Sequence, residues 1–184
     1  MTREHEHVAF LRAINLGRNR KFPMASVRAC LADAGFEEVE THIQTGNVRL
    51  VVPPAARGRL GDRAEVEAEL ERVFAATTGF DVPTMVFTPV ELRQVHDDVH
   101  ALGVEAARHY VSFLKKEPDA ATRAEIDAWS APGEGARVVG RTVYWWLDHA
   151  NAAAKLSNAR LEKALGPSTT RDLKVVRALV AKWC

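Results

Sequence analysis

The chain has 184 residues, 25 basic and 24 acidic, for a net charge of +1, and 47% of it is hydrophobic. That balance sets up no global field to draw in nucleic acid or a membrane surface, so an electrostatic partner must be recruited by a local patch. The length suits one domain, or two small ones sharing a core, and the apolar runs fall far short of the roughly 20 residues of a membrane helix.

The N-terminal segment MTREHEHVAF carries acids where a secretory signal would be basic and then apolar. Two cysteines, Cys30 and Cys184, make no disulfide framework. A cytoplasmic, reduced protein with no membrane partner is the expectation.

In chain order, Val8 to Ile14 reads as a strand, apolar on both faces except at Arg12. Met24, Val27, Leu31 and Ala34 are spaced for one helical stripe, with Gly35 placed to end the helix. Val39, Thr41 and Ile43 alternate with polar residues as in a half-buried strand, and Thr45-Gly46-Asn47 turns it into a second one, Val48 to Val52. Asp62 and Glu65 form a D-x-x-E helix start before Val66, Leu70, Val73 and Phe74, Gly79 stops that helix, and Val82 to Phe87 is a short strand. The order β-α-β-β-α-β is that of the ferredoxin-like split unit.

Thr88 to Arg108 reads as a connector with a short helix, and the pattern then partly repeats. Arg108 to Leu114 is a strand, Asp119 to Trp129 a helix, and Arg137 to Val139 with Thr142 to Leu147 a hairpin. Ser157 to Leu165 is a helix stopped by Gly166-Pro167. Thr169 and Asp172 then open a last helix where a closing strand would be due. The fold class is therefore α+β, with two ferredoxin-like halves and a long C-terminal helix. The divisions are residues 1–88, a connector over 89–107, and 108–184.

Three stretches carry a resemblance: Phe10-Leu11-Arg12-Ala13-Ile14-Asn15-Leu16-Gly17 leading to Lys21 and Pro23-Met24-Ala25; Ile43-Gln44-Thr45-Gly46-Asn47-Val48; and Leu161-Glu162-Lys163-Ala164-Leu165-Gly166 running into Thr169-Thr170-Arg171. Together they resemble the bacterial family known as domain-of-unknown-function family 1697. The resemblance implies two ferredoxin-like subdomains and brings no established activity, substrate or cofactor. The chain departs from the family pattern at Ala13 and Arg18, where glycines are common, and at Asp172-Leu173, where Asn-Trp is common.

No acid occurs between His7 and Ala32, a segment that carries Arg12, Arg18, Arg20 and Lys21. Arginine forks and lysine ammonium groups suit phosphate, and loop amides beside a helix start add fixed dipoles. Arg12, Asn15, Arg18, Lys21, Gln44 and Asn47 are thus the candidate ligand-binding residues of two turns that must meet. Arg171 joins them if Thr169-Thr170-Arg171 begins a helix. The plainer alternative has Asn15 and Asn47 satisfying turn backbone and the cations facing water. A basic C-terminal segment, with Lys155, Arg160, Lys163, Arg171, Lys174, Arg177 and Lys182 against Glu162 and Asp172, admits the same two readings.

His96 and His100 are four apart beside Asp97 and Asp98, but no third ligand is evident, so no metal site is expected. His5 and His7 fall in a terminus read as frayed. The chain has no G-x-S-x-G elbow and no phosphate loop, and its glycines at 133, 135 and 140 run from helix into strand, so no nucleotide-cofactor fingerprint and no cofactor are expected. Catalytic residues are not identifiable. Glu37, Glu38 and Glu40 could serve as an acid or base, or as a solvated turn. Of the consecutive Tyr144, Trp145 and Trp146, at least one ring must point away from its neighbours, to stack on a base, to pack in the core, or to anchor a homodimer.

The leading expectation is a binding module for a phosphate-bearing ligand, nucleic acid or a nucleotide. The alternatives are a small enzyme acting on a phosphorylated metabolite and a structural, dimerising protein.

Overall fold

The computed structural model describes residues 5–17, 19–129, 131–148 and 154–184. The chain divides into two compact units, Met1–Leu92 with Trp183, and Arg93–Lys182 with Cys184. Both are α+β, and each is built on a four-stranded antiparallel sheet.

The first unit runs β1 (Glu6–Leu11), α1 (Met24–Asp33), β2 (Glu37–His42), β3 (Asn47–Val51), α2 (Arg63–Thr78) and β4 (Thr84–Phe87), with sheet order β2-β3-β1-β4. Ala9, Leu11, Val48, Leu50 and Val86 point from the sheet into one apolar cluster with Met24, Val27 and Leu31 of α1 and Val66, Leu70, Val73 and Phe74 of α2. The stripes read from spacing are the buried faces, except that Ala34 is exposed and caps α1 rather than extending it. The D-x-x-E start of α2 forms a reciprocal capping box between Asp62 and Glu65, and Gly79 ends the helix at φ 75°. The loop closing α1 turns at Gly35, φ 89°.

α2 also satisfies the sheet's edge. β4 has no strand on its far side, and its outward amides at Thr84 and Val86 donate to Glu71 (2.7 Å) and Glu67 (2.9 Å), one helical turn apart. Arg63 balances the buried Glu67 at 3.0 Å.

α3 (Pro89–Ala101) follows, opened by reciprocal bonds between Thr88 and Glu91, and extends well beyond the short helix expected of the connector. The second unit then runs β5 (Arg108–Leu114), α4 (Ala120–Asp127), β6 (Glu134–Val139), β7 (Thr142–Leu147), α5 (Asn158–Leu165), β8 (Ser168–Asp172) and α6 (Leu173–Trp183), with sheet order β6-β7-β5-β8. This is the strand order of the first unit, so both halves are ferredoxin-like in topology.

Here the structure corrects the sequence reading: residues 168–172 form the closing strand, and the last helix begins only at Leu173. Five short polar residues carry no apolar alternation. They form a strand because β5 needs a second neighbour, and Ser168 to Asp172 pair with Leu114 to Tyr110. Asp172 still opens the helix, accepting the Lys174 amide at 2.8 Å.

The edge device recurs. β6 is an outer strand, and its Val138 amide donates to Asp127 of α4 at 2.7 Å while Arg123 donates to the Val138 carbonyl. Within the hairpin, Trp146 lies over Gly135: a Cβ added there would sit 2.0 Å from the indole. No helix among the described residues is long and apolar enough to cross a membrane.

His7 is a second correction, because it lies inside β1, paired with Leu50, and is buried with no hydrogen-bond partner on Nδ1 among the described residues. Burial lowers its pKa, with the Glu91 charge opposing. The unfolded chain therefore takes up this proton more readily than the folded one. The stability gained by keeping His7 neutral is complete above the unfolded value of about 6.5 and is lost as pH falls through it toward the folded value.

Urea denaturation should accordingly show stability declining as pH drops below about 6.5, and His7→Phe should flatten that decline; an unchanged slope in the variant would contradict the assignment. Glu67→Ala, which strands the Val86 amide, should cost about 2 kcal/mol by the same measurement, and Glu67→Gln, which keeps an acceptor, distinctly less.

Candidate functional site

The two turns singled out in the sequence do meet. The Asn15 side chain donates from Nδ2 to the carbonyls of Gln44 (2.8 Å) and Phe22 (3.0 Å) and accepts the Phe22 amide on Oδ1 at 2.9 Å. The Leu11 amide donates to the Gly46 carbonyl at 2.8 Å. One amide thus pins the loop after β1, the start of α1 and the β2–β3 turn to each other.

The frame is strained. Ala13 and Asn15 at φ 56° and Ile43 at φ 51° all occupy the left-handed region, which costs an L residue about 1–2 kcal/mol each. Ala13 takes a conformation that glycine adopts without a steric cost. Ile43 is β-branched and half exposed, and Leu16 is 64% exposed. Gly46 is packed against Leu11 and Ile14 so closely that a side chain there would clash.

Meeting engages some of the candidate groups with backbone and leaves others exposed. Asn15 is engaged by backbone on both ends of its amide. Asn47 is fully buried and donates to the His42 carbonyl at 3.0 Å and to Thr45 Oγ1 at 3.2 Å. Arg20 donates to the Ala13 and Asp81 carbonyls and lies 4.5 Å above the Phe80 ring. Gln44 and Lys21 are exposed, and Arg12 is half-buried at the end of β1. Arg18 lies outside the described residues.

On the sheet beside them, Arg49 is surrounded by carboxylates: Glu6, Glu38 at 3.0 Å and Glu40 at 3.2 Å. Burial alone would lower the Arg49 pKa, but these hydrogen bonds and charges outweigh it and hold it above the ordinary value.

Arg171 belongs to the other unit and to β8, not to a helix N-terminus. It is buried, bonds through Nη1 to Thr169 Oγ1 (2.8 Å) and the Thr170 carbonyl (2.9 Å), and burial pushes its pKa down to about 10. Trp145 is buried too, stacked on Tyr110 with centroids 4.2 Å apart. His96 and His100 stack face to face at 6.2 Å, with His96 Nδ1 2.9 Å from Asp97. Among the described residues no group of three or more His, Cys, Asp or Glu is arranged to hold a metal.

A concave surface in the second unit is one that spacing alone does not reveal. Between α4 and α5 lies a groove of about 780 Å³ whose lining, among the described residues, holds the cations Lys155, Arg160 and Lys163 and one acid, Glu125. Arg160 lies 4.5 Å above the ring of Trp129.

The groove's shape depends on Glu134 at the start of β6. This buried carboxylate accepts the Lys155 amide on Oε1 and the Leu156 amide on Oε2, both at 2.7 Å, and the Trp129 indole N–H at 3.3 Å. It thereby fixes both walls, the entry to α5 and the aromatic ring after α4. The sequence signal was present as the basic C-terminal segment. What was missing was Trp129, brought to it by the fold.

No curated protein matches the chain. Among solved structures, a conserved bacterial protein, SP0830 from Streptococcus pneumoniae, superposes with a TM-score of 0.70 over 96% of this chain and 97% of that one, at 19% identity, a likeness of fold. The model of the family described as protein of unknown function (DUF1697) matches residues 5–144, most of the chain, and the chain belongs to that family.

Proposed function

We propose that the protein is a binding module for a phosphate-bearing ligand, held in the groove between α4 and α5. The observation that carries this reading is the gathering of Lys155, Arg160 and Lys163 around one concave surface lined, among the described residues, by a single carboxylate, Glu125, with Glu134 buried behind it, in a chain whose overall charge is close to zero. A local cationic surface on a neutral protein attracts an anion at short range without a general affinity for polyanions.

Arg160 is the best-placed group. Stacking on Trp129 restrains its guanidinium plane, so less side-chain freedom is lost when two of its N–H groups engage two phosphate oxygens. Lys155 and Lys163 add charge without fixed geometry. Glu134 supports the reading from behind, since it orders the backbone from which Lys155 projects. In the first unit, Arg12 and Lys21 are candidate anion contacts of a separate surface, with Asn15 and Asn47 serving as its frame.

Titration calorimetry with inorganic pyrophosphate at low ionic strength should detect binding that weakens steeply as salt is added. Arg160→Gln with Lys163→Gln should reduce that affinity at least tenfold, about 1.4 kcal/mol or more, with thermal stability nearly unchanged because both side chains are exposed. Absence of binding at low ionic strength, or full affinity in the double variant, would overturn the proposal.

A further inference from the structure

A second cavity adjoins the groove, and its chemistry differs. It measures about 380 Å³ and shares Leu156, Ser157 and Ala159 with the groove, so the two flank the first turn of α5. Its wall holds the Tyr110–Trp145 stack, inclined at 26°. Trp145 is 4% exposed and Tyr110 only half-buried, so the surface the stack offers is that of Tyr110.

The stack is held rigidly: the Trp145 indole donates to Ser112 Oγ at 3.0 Å, and Ser112 in turn bonds Thr170 Oγ1 at 2.7 Å. Thr170 and Asp172 of β8 also line the cavity. One Asp172 oxygen takes the Lys174 amide; a carboxylate with further lone pairs favours a partner that donates N–H.

We infer that the ligand is a nucleotide with an amino-bearing base, its ring against Tyr110 and its phosphate among Lys155, Arg160 and Lys163. This rests on the groove being the phosphate site. A flat aromatic seat with acceptors at its rim, joined to a cationic groove, matches a molecule with a planar donor-bearing head and an anionic tail. A bare phosphosugar would leave the aromatic seat empty, and a nucleoside would leave the cations unmatched.

The test compares adenosine monophosphate, inosine monophosphate, adenosine and inorganic pyrophosphate on the intact protein by calorimetry. Adenosine monophosphate should bind most tightly, with inosine monophosphate weaker because its carbonyl replaces the amino group facing Asp172. Removing the stacking surface in Tyr110→Ala should weaken adenosine monophosphate about ten- to a hundredfold and leave pyrophosphate unaffected. Tyr110→Phe should bind it as the wild type does, which separates loss of the ring from loss of the fold.

Pyrophosphate bound as tightly as adenosine monophosphate, or equal weakening of both by Tyr110→Ala while Tyr110→Phe stays intact, would overturn the nucleotide and leave the phosphate groove standing. Equal affinity for the two monophosphates would overturn the role of Asp172. Failure of every phosphate-bearing probe would remove the groove itself.

Discussion

A backbone amide that faces outward from the last strand of a sheet has lost water on folding and gained no strand, and this protein meets that constraint with carboxylates. Glu67 and Glu71 take the amides of Val86 and Thr84 in the first unit, and Asp127 takes that of Val138 in the second. Each acid comes from a helix that packs on the sheet, so one contact closes an edge and fixes the helix along it. The cost of leaving such an amide unpaired, about 1–3 kcal/mol each, is a sizeable part of a domain's net stability. Glu134 extends the device beyond the sheets. Its two oxygens hold the chain entering α5 and the indole of Trp129, and through them the groove keeps its shape.

The first unit uses a neutral amide for a comparable task. Asn15 ties three segments together, and the left-handed backbone at Ala13, Asn15 and Ile43 persists because these bonds and the packing around Gly46 over-determine it. The polarity concentrated in those turns is thus largely directed inward. In the second unit the polar groups of the α4–α5 surface are exposed cations on α5 and on the segment entering it, held from behind by a buried acid, and are therefore open to a guest. The same residue types in the two places do different work because burial differs.

Much of the fold was legible because periodicity and punctuation agreed: the stripes of α1 and α2, the Asp62–Glu65 box, the stop at Gly79 and the span of β5 all lie where the sequence puts them. β8 was not legible, since Ser-Thr-Thr-Arg-Asp has neither alternation nor apolar content and becomes a strand only against β5. The meeting of the two N-terminal turns followed from the topology, but whether Asn15 and Asn47 faced a ligand or the backbone depended on which way short side chains turn, which spacing does not encode. The groove went unread for a different reason: its aromatic wall comes from Trp129, just after α4, its cations from the segment entering α5 and from α5 itself, and only tertiary packing joins them.

The contact between Trp146 and Gly135 has a consequence for how such a chain can change. With the indole resting where a β-carbon would be, the two positions form one steric unit across the hairpin, and neither a methyl group at 135 nor an unaltered ring can coexist with the other. Lineages that replace the tryptophan by something small free the glycine to drift, whereas those that keep it hold the glycine in place, so the pair should vary together or not at all.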